Sequence, residues 1–273
     1  MNQQRILITG AASGLGRALA EHYAGRGARV LAGDVDEQRG QAFQAEYEGP
    51  GEVVFRKLDV RADADFEAAR DWLREHWGGL DVLVNNAGVA AFGAIDAMSM
   101  DDWQWLTEIN LLGVARGCHV LTPLLKEQGS AHVINIASMA GLANAPMMSA
   151  YNASKAGVIG LSETLRWELG AWGIGVTVVC PSFFRTRLGE TLRSPDPDIH
   201  AQLDKLMSAS EIDASDVARM TTQAADAGRF LLIPHREARR ARWFKRWLPL
   251  LFNKSMRKRA AVARRRGQGN ANE

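Results

Sequence analysis

Arg5-Ile6-Leu7-Ile8-Thr9-Gly10-Ala11-Ala12-Ser13-Gly14-Leu15-Gly16 is the stretch whose reading decides the fold. Arg5–Thr9 is a short apolar run with the length and branching of a buried strand. The segment from Gly14 to about Gly25 has helical periodicity, so the glycines fall in the turn between strand and helix. Gly10, Gly14 and Gly16 allow a sharp turn, close approach of the backbone to a diphosphate, and tight packing of helix on strand. The helix N-terminus that follows, with Ser13 and Leu15 beside it, offers free N–H groups and partial positive charge to phosphate oxygens.

Working outward, apolar runs alternate with helix-period segments along the chain. Strands are expected at 5–9, 30–33, 52–57, 80–84, 131–137, 175–180 and 230–233. Helices are expected at 14–25, 36–48, 62–77, 100–127, 148–172 and 214–227. Seven strands separated by helices predict an α/β fold: one doubly wound, Rossmann-like parallel sheet with helices on both faces. The Val/Ile/Leu runs are nearly continuous, as a sheet covered on both sides requires. Residues 1–234 form a single dinucleotide-binding and catalytic domain in this reading, and 235–273 form a basic amphipathic extension.

Asp34 ends the second predicted strand, 18 residues after Gly16. A carboxylate there can accept hydrogen bonds from both adenosine ribose hydroxyls and would repel a 2′-phosphate. Val35 follows it, and no base occurs from Ala11 to Ser13, so NAD is expected over NADP. Tyr151-Asn152-Ala153-Ser154-Lys155 opens a predicted helix, which sets the phenol and the ammonium one turn apart on one face. A phenol titrates near 10. A neighbouring cation together with a nicotinamide charge would lower that value and make Tyr151 an acid/base for an alcohol oxygen. Ser138 ends the fifth strand, where its hydroxyl can reach the same oxygen.

Together these residues resemble the short-chain dehydrogenase/reductase family over about residues 5–234. The resemblance implies a nicotinamide-dependent oxidoreductase acting on an alcohol or ketone. It brings further expectations with it. Asn86, Ala87 and Gly88 would line the adenosine ribose side, and Asp59 with Val60 would meet the adenine. Asn110 would bend the long helix and hold a water beside Lys155, completing a set with Ser138, Tyr151 and Lys155. Pro181 and Thr186 would border the nicotinamide, Thr186 binding its carboxamide. The family commonly has Pro-Gly where this chain has Pro181-Ser182, which puts the shape of that loop in question. Family members are usually dimers or tetramers built on their long helices, so a homodimer or homotetramer is expected. A catalytically silent NAD-binding protein on the same fold is the competing reading, and the intact set of four residues speaks against it.

The expected substrate pocket, formed by loops at the carboxyl ends of the strands, carries Phe92, Met139, Met147, Phe183 and Phe184. None is charged, which favours a bulky apolar substrate. Residues 188–210 occupy the place of a variable, partly apolar lid.

Composition narrows the remaining classes. At 47% hydrophobic and 23% charged residues the chain is an ordinary globular one. The two cysteines, Cys118 and Cys180, lie in separate apolar runs with no metal-ligand spacing, so buried free thiols and no metal site are expected. Nothing approaches the roughly 18 apolar residues of a spanning helix, and the short polar start before Arg5 reads as no signal peptide, so a cytoplasmic protein is expected. The charge is uneven: residues 1–234 hold 20 Lys+Arg against 29 Asp+Glu, whereas 235–273 hold 13 against 2. Without a recognition motif, this basic tail does not point to nucleic acid. Trp243, Phe244, Trp247, Leu248, Leu251 and Phe252 trace a helical stripe through its arginines, interrupted at Pro249. Beyond it the tail is expected to be polar and disordered. Two readings stay open. The stripe docks on the protein's own body or a partner subunit, covering the substrate mouth with its arginines on the acidic surface, or it lies on an anionic membrane.

Overall fold

A computed structural model describes residues 3–185, 187–196 and 198–269. The first four strands are β1 (Arg5–Thr9), β2 (Arg29–Asp34), β3 (Glu52–Lys57) and β4 (Val82–Asn85). Between them run α1 (Gly14–Gly25), α2 (Glu37–Glu46) and α3 (Asp63–Trp77). Next come α4 (Met100–Thr107) and α5 (Gly113–Lys126), joined without a break by a π-helical turn over Glu108–Leu112. They are followed by β5 (Ala131–Ile136), α6 (Ala140–Ala143), α7 (Ser149–Gly170) and β6 (Ile174–Val179). The chain continues through α8 (Ile199–Ser208), α9 (Ala214–Asp226), β7 (Leu231–Leu232), α10 (Arg236–Trp247) and α11 (Pro249–Gly269).

The seven strands pair in the order β3-β2-β1-β4-β5-β6-β7, all parallel. Alternation within each strand divides the core in two. Leu7, Leu31, Leu83 and Val133 face one layer with Phe66 and Leu73 of α3, Leu121 of α5 and Val158 of α7. Ile6, Ile8, Val30, Val84 and Ile134 face the other, with Leu19 of α1, Phe43 of α2 and Val217 of α9. Every one of these side chains is essentially dry. The doubly wound sheet expected from the sequence is therefore the observed fold. Its strand order reverses between β1 and β4, where a crevice opens at the carboxyl ends of the strands.

Cys118 and Cys180 are buried free thiols, as expected, and burial pushes both up to about 12. Among the described residues no helix is long and apolar enough to cross a membrane.

The tail departs from expectation in two ways. Pro249 does break it, but as the first residue of α11, where a missing N–H costs nothing. The predicted disordered end is instead helical to Gly269; Lys, Arg, Ala, Leu and Met, all good helix formers, fill most of it. Docking is partial as well. Ala238 and Phe252 are buried, Arg239 donates to the carbonyls of Ile233 and Pro234, and Lys245 Nζ donates to Leu142 O at 2.6 Å. Trp243 and Trp247 nonetheless stay exposed, and no tail residue lines the catalytic crevice among the described residues.

Candidate active site

The crevice holds one elongated cavity of about 550 Å³, walled at one end by the β1–α1 turn. Gly10 and Gly14 take φ of +65° and +53°, the left-handed region that favours glycine. A Cβ on Gly10 would stand 2.8 Å from Ala87 Cα, and one on Gly16 would stand 2.0 Å from Gly10 O. Gly16 therefore does not line the cavity; it lets α1 seat against the loop that does. Ser13, Gly14 and Leu15 line the wall. The loop is braced by the segment after β4. Asn86 Nδ2 donates to Thr9 O and Gly10 O, and Thr9 Oγ1 accepts from the N–H groups of Asn86 and Ala87. Asn86, Ala87 and Gly88 line the cavity beside it.

Asp34 lies at this end, at the last residue of β2. Its Oδ2 accepts from Ala12 N at 2.9 Å and its Oδ1 from Asp36 N at 3.1 Å. The carboxylate is thus fixed while further lone pairs stay free for ribose hydroxyls. Asp59 and Val60 line the neighbouring wall. Arg61 grips the Asp59 carboxylate and holds it below the usual range, against the opposing effect of burial. Arg39 and Arg61 line this end too, which the residues adjoining Asp34 in the sequence did not disclose. Each is engaged: Arg39 with Glu190 at 3.0 Å and Asp36 at 3.4 Å, Arg61 with Asp59.

At the middle of the cavity stand Ser138, Tyr151 and Lys155. Ser138 follows β5, its Oγ accepting from Ala140 N at 3.1 Å. Tyr151 sits in the first turn of α7, against the edge of the Phe92 ring at 5.7 Å and 89°. Lys155, one turn on, donates from Nζ to Ile136 O at 3.0 Å and lies 5.9 Å from the centre of the tyrosine ring. The expected lowering of the phenol is not found within the chain's own field. Burial pushes Tyr151 above its ordinary value, and the hydrogen bond with Ser138 opposes it only in part. Burial lowers the neighbouring Lys155 as well, bringing its ammonium down to about 8.

Asn110 is fully buried in the π-helical turn and lies behind the cavity wall. It holds Val89 from both sides, and its Nδ2 also reaches Ser154 Oγ at 3.4 Å. A Cβ on Gly88 would come 3.2 Å from Asn110 Oδ1 and 3.4 Å from Lys155 Nζ, so glycine keeps open a small space between them.

The far end of the cavity is apolar. Phe92, Met139, Phe183 and Phe184 line it. Met147 does not. It adopts φ of +65° and meets Gly93 through its carbonyl, so Met148 takes its place in the lining. Trp105, Ile109, Leu188 and Met207 also contribute, the last two from the proposed lid. Helix periodicity gives no sign that Trp105 and Ile109 face a cavity rather than the core. Pro181 lines the cavity, and its carbonyl accepts from Met139 N at 2.8 Å. Ser182, the departure from Pro-Gly, has no left-handed φ, and its N–H donates to His235 Nδ1 at 3.1 Å. His235 was not anticipated; it pins this loop to the start of the tail. Thr186 lies outside the described residues.

Comparison with known proteins agrees with this geometry. The short chain dehydrogenase family model matches residues 4–197, and the chain belongs to that family. It is 34% identical over 229 residues to a D-threitol dehydrogenase of Mycolicibacterium smegmatis, covering 80% of this chain and 88% of the relative. It is 36% identical over 180 residues to a 3-alpha-(or 20-beta)-hydroxysteroid dehydrogenase of Mycobacterium tuberculosis, covering 66% and 68%. A crystal structure of a short chain dehydrogenase/reductase from Burkholderia phymatum in complex with NAD superposes with a TM-score of 0.82 at 33% identity. It covers 90% of this chain and 93% of that one. The chain is accordingly an oxidoreductase of the class that interconverts alcohols and carbonyls.

Proposed function

We propose that this protein is an NAD(H)-dependent dehydrogenase that interconverts a bulky apolar secondary alcohol and its ketone. One observation carries the reading: Ser138, Tyr151 and Lys155 stand midway along a single cavity that has a glycine cradle at one end and an aromatic, methionine-rich surface at the other. The cradle fits a dinucleotide, since Gly10 and Gly14 line it with bare backbone in the left-handed region and the Asp34 carboxylate is fixed at its end. Gly10, Ser13, Gly14 and Leu15 would hold the diphosphate, Asp34 the adenosine ribose, Asp59 and Val60 the adenine, and Pro181 and Thr186 the nicotinamide. When bound, the dinucleotide supplies the acceptor or donor of a hydride. Tyr151 gives a proton to the substrate oxygen in reduction and takes one in oxidation. Ser138 orients that oxygen by its hydroxyl. Lys155 keeps a positive charge beside the phenol, and Asn110 holds the backbone behind both.

The apolar end favours a substrate nearer to a steroid than to a polyol, in line with the name of the hydroxysteroid-dehydrogenase relative. Trp167 on α7 and Leu112 at the end of the π-helical turn before α5 are exposed apolar groups along the long helices, which supports a homodimer or homotetramer through that face. The protein acts in the cytoplasm, and its α10–α11 hairpin, rather than the catalytic body, carries its contact with a membrane surface. The test is purified protein with NAD⁺ or NADP⁺ and a panel of hydrophobic secondary alcohols and polyols, followed at 340 nm. Turnover of the apolar alcohols with NAD⁺ is expected; no turnover of any alcohol or ketone would favour a silent NAD-binding protein.

A further inference from the structure

We propose that the turn between α10 and α11 is an anchor for anionic bilayers, an apolar tip that enters the headgroup region under the hold of a basic collar. The proposal deepens, and rests on, the reading above that the hairpin is the part that meets a membrane.

The tip is continuous in the sequence. Trp247, Leu248, Pro249, Leu250 and Leu251 are all exposed, Trp247 at 62% and Leu250 at 84%, and Trp243 stands exposed one turn back on α10. Five consecutive apolar residues in water are costly unless something covers them. They are not the loose end of a frayed chain. The rings of Phe244 and Phe252 meet edge-on at 6.0 Å across the hairpin, and the buried Phe252 and Ala238 seal its base. Lys245 and Arg239 then bolt α10 to body carbonyls. The tip is held out by structure.

Around it the charge is of one sign. Arg240, Arg242, Arg246, Lys254, Arg257 and Lys258 are exposed, and among the described residues none pairs with a carboxylate. The body is acidic overall, with 29 Asp+Glu against 20 Lys+Arg over residues 1–234. Yet the body surface that Arg242 and Arg246 share is lined by Arg229, Leu231, Leu232, Ile233 and Arg239 and holds no carboxylate among the described residues. A second copy of the same hairpin is a poor cover, because it would bring two strongly basic segments together. A surface that is apolar within and anionic at its rim meets both halves of the pattern, with tryptophan at the boundary and arginine on the lipid phosphates. The position suits the substrate as well. Lys245 binds Leu142 of α6, whose neighbours Ala140 and Ala143 line the cavity, so anchoring brings the cavity close to the bilayer in which an apolar alcohol dissolves.

The test uses the full-length protein and vesicles of phosphatidylcholine alone or mixed with phosphatidylglycerol, with co-sedimentation measured at low and high salt. Wild type is expected to sediment with the mixed vesicles at low salt, to be released by high salt, and to ignore phosphatidylcholine alone. Arg242→Gln with Arg246→Gln should weaken partitioning roughly 30-fold, at about fivefold per basic residue. Trp243→Ala with Trp247→Ala should abolish quenching of tryptophan emission by brominated lipid and lower sedimentation, while the oligomeric state and the turnover of a water-soluble alcohol stay unchanged. Absence of sedimentation with mixed vesicles at low salt overturns the proposal, as does undiminished sedimentation of the tryptophan variant. A change of oligomeric state in that variant would assign the tip to a second copy instead. The dehydrogenase reading fails separately, by absent turnover in free solution, whatever the vesicles do.

Discussion

Asn110 and Val89 are joined by two hydrogen bonds running in opposite directions: Val89 N to Asn110 Oδ1 at 2.8 Å, and Asn110 Nδ2 to Val89 O at 2.9 Å. The pair fastens the π-helical turn between α4 and α5 to the segment that leaves β4 behind the cavity. Asn110→Ala would leave both groups of Val89 unpaired, at about 1–3 kcal/mol for each group that water does not reach. Thermal unfolding should register that loss. Because Gly88 and Lys155 border the same space, turnover should fall more than Kd for NAD⁺ rises. A variant as stable and active as wild type would reduce the clamp to a bystander.

Tyr151→Phe keeps the ring against Phe92 and removes only the hydroxyl. Turnover should drop by roughly 10²–10⁴-fold, the range for losing a positioned acid/base. Binding of NAD⁺, followed by calorimetry, should be little altered. Near-normal turnover would take Tyr151 out of the chemistry.

The cofactor preference turns on Asp34 and its neighbours. Asp34→Ala with Val35→Arg removes the carboxylate that would repel a 2′-phosphate and adds a base to pair with it. The ratio of kcat/KM for NADP⁺ over NAD⁺ should rise by at least about tenfold, or 1.4 kcal/mol. Should wild type already prefer NADPH, the reading of Asp34 fails, and Arg39 or Arg61, freed from Glu190 or Asp59, becomes the group that decides.

Gly16→Ala tests packing rather than contact. Its Cβ would meet the Gly10 carbonyl oxygen at 2.0 Å and Asn86 Nδ2 at 2.5 Å, and the Gly10 backbone cannot yield as a flexible side chain would. Affinity for NAD⁺ should fall tenfold or more and Tm should drop, although position 16 does not line the cavity. Unchanged affinity in a correctly folded variant would separate the first turn of α1 from cofactor binding.

Much of this was legible from residue order, and the exceptions share a cause. The strand Arg5–Thr9, the turn to Gly16 and the pair Tyr151–Lys155 are local features whose chemistry is set by spacing, and β1, α1 and β3 begin and end at the expected residues. Met147 and Met148 were confused because a single left-handed residue reverses which of two adjacent side chains faces the cavity. Trp105 and Arg39 reach the crevice from helices whose apolar or charged faces look the same against core or solvent. His235 bonds to Ser182 across 53 residues, a relation that no local pattern encodes.

Lys155 supplies the last prediction, because what suits it to the site should count against the fold. Its side chain is buried, its Nζ has one carbonyl partner, and desolvation brings its pKa from 10.5 down to about 8. A folded-state value below the unfolded one means that the unfolded chain binds more protons between the two, so stability rises with pH across that window. Below about pH 8 the ammonium is held in the fold at a cost on the order of 3 kcal/mol, at 1.36 kcal/mol per unit. The cost is relieved as pH climbs from about 8 toward 10.5. Lys155→Met keeps the length and removes the charge. The variant should be inactive yet more stable than wild type at pH 7, and its advantage should shrink steadily as pH approaches 10. Denaturant unfolding of both proteins at pH 7 and at pH 10 measures this directly. A variant less stable at pH 7, or an advantage that does not shrink with pH, would mean that the Ile136 carbonyl compensates the buried charge in full. In wild type the same titration should appear in catalysis: reduction of a ketone should slow as pH rises through about 8, where Lys155 loses the proton that supports Tyr151.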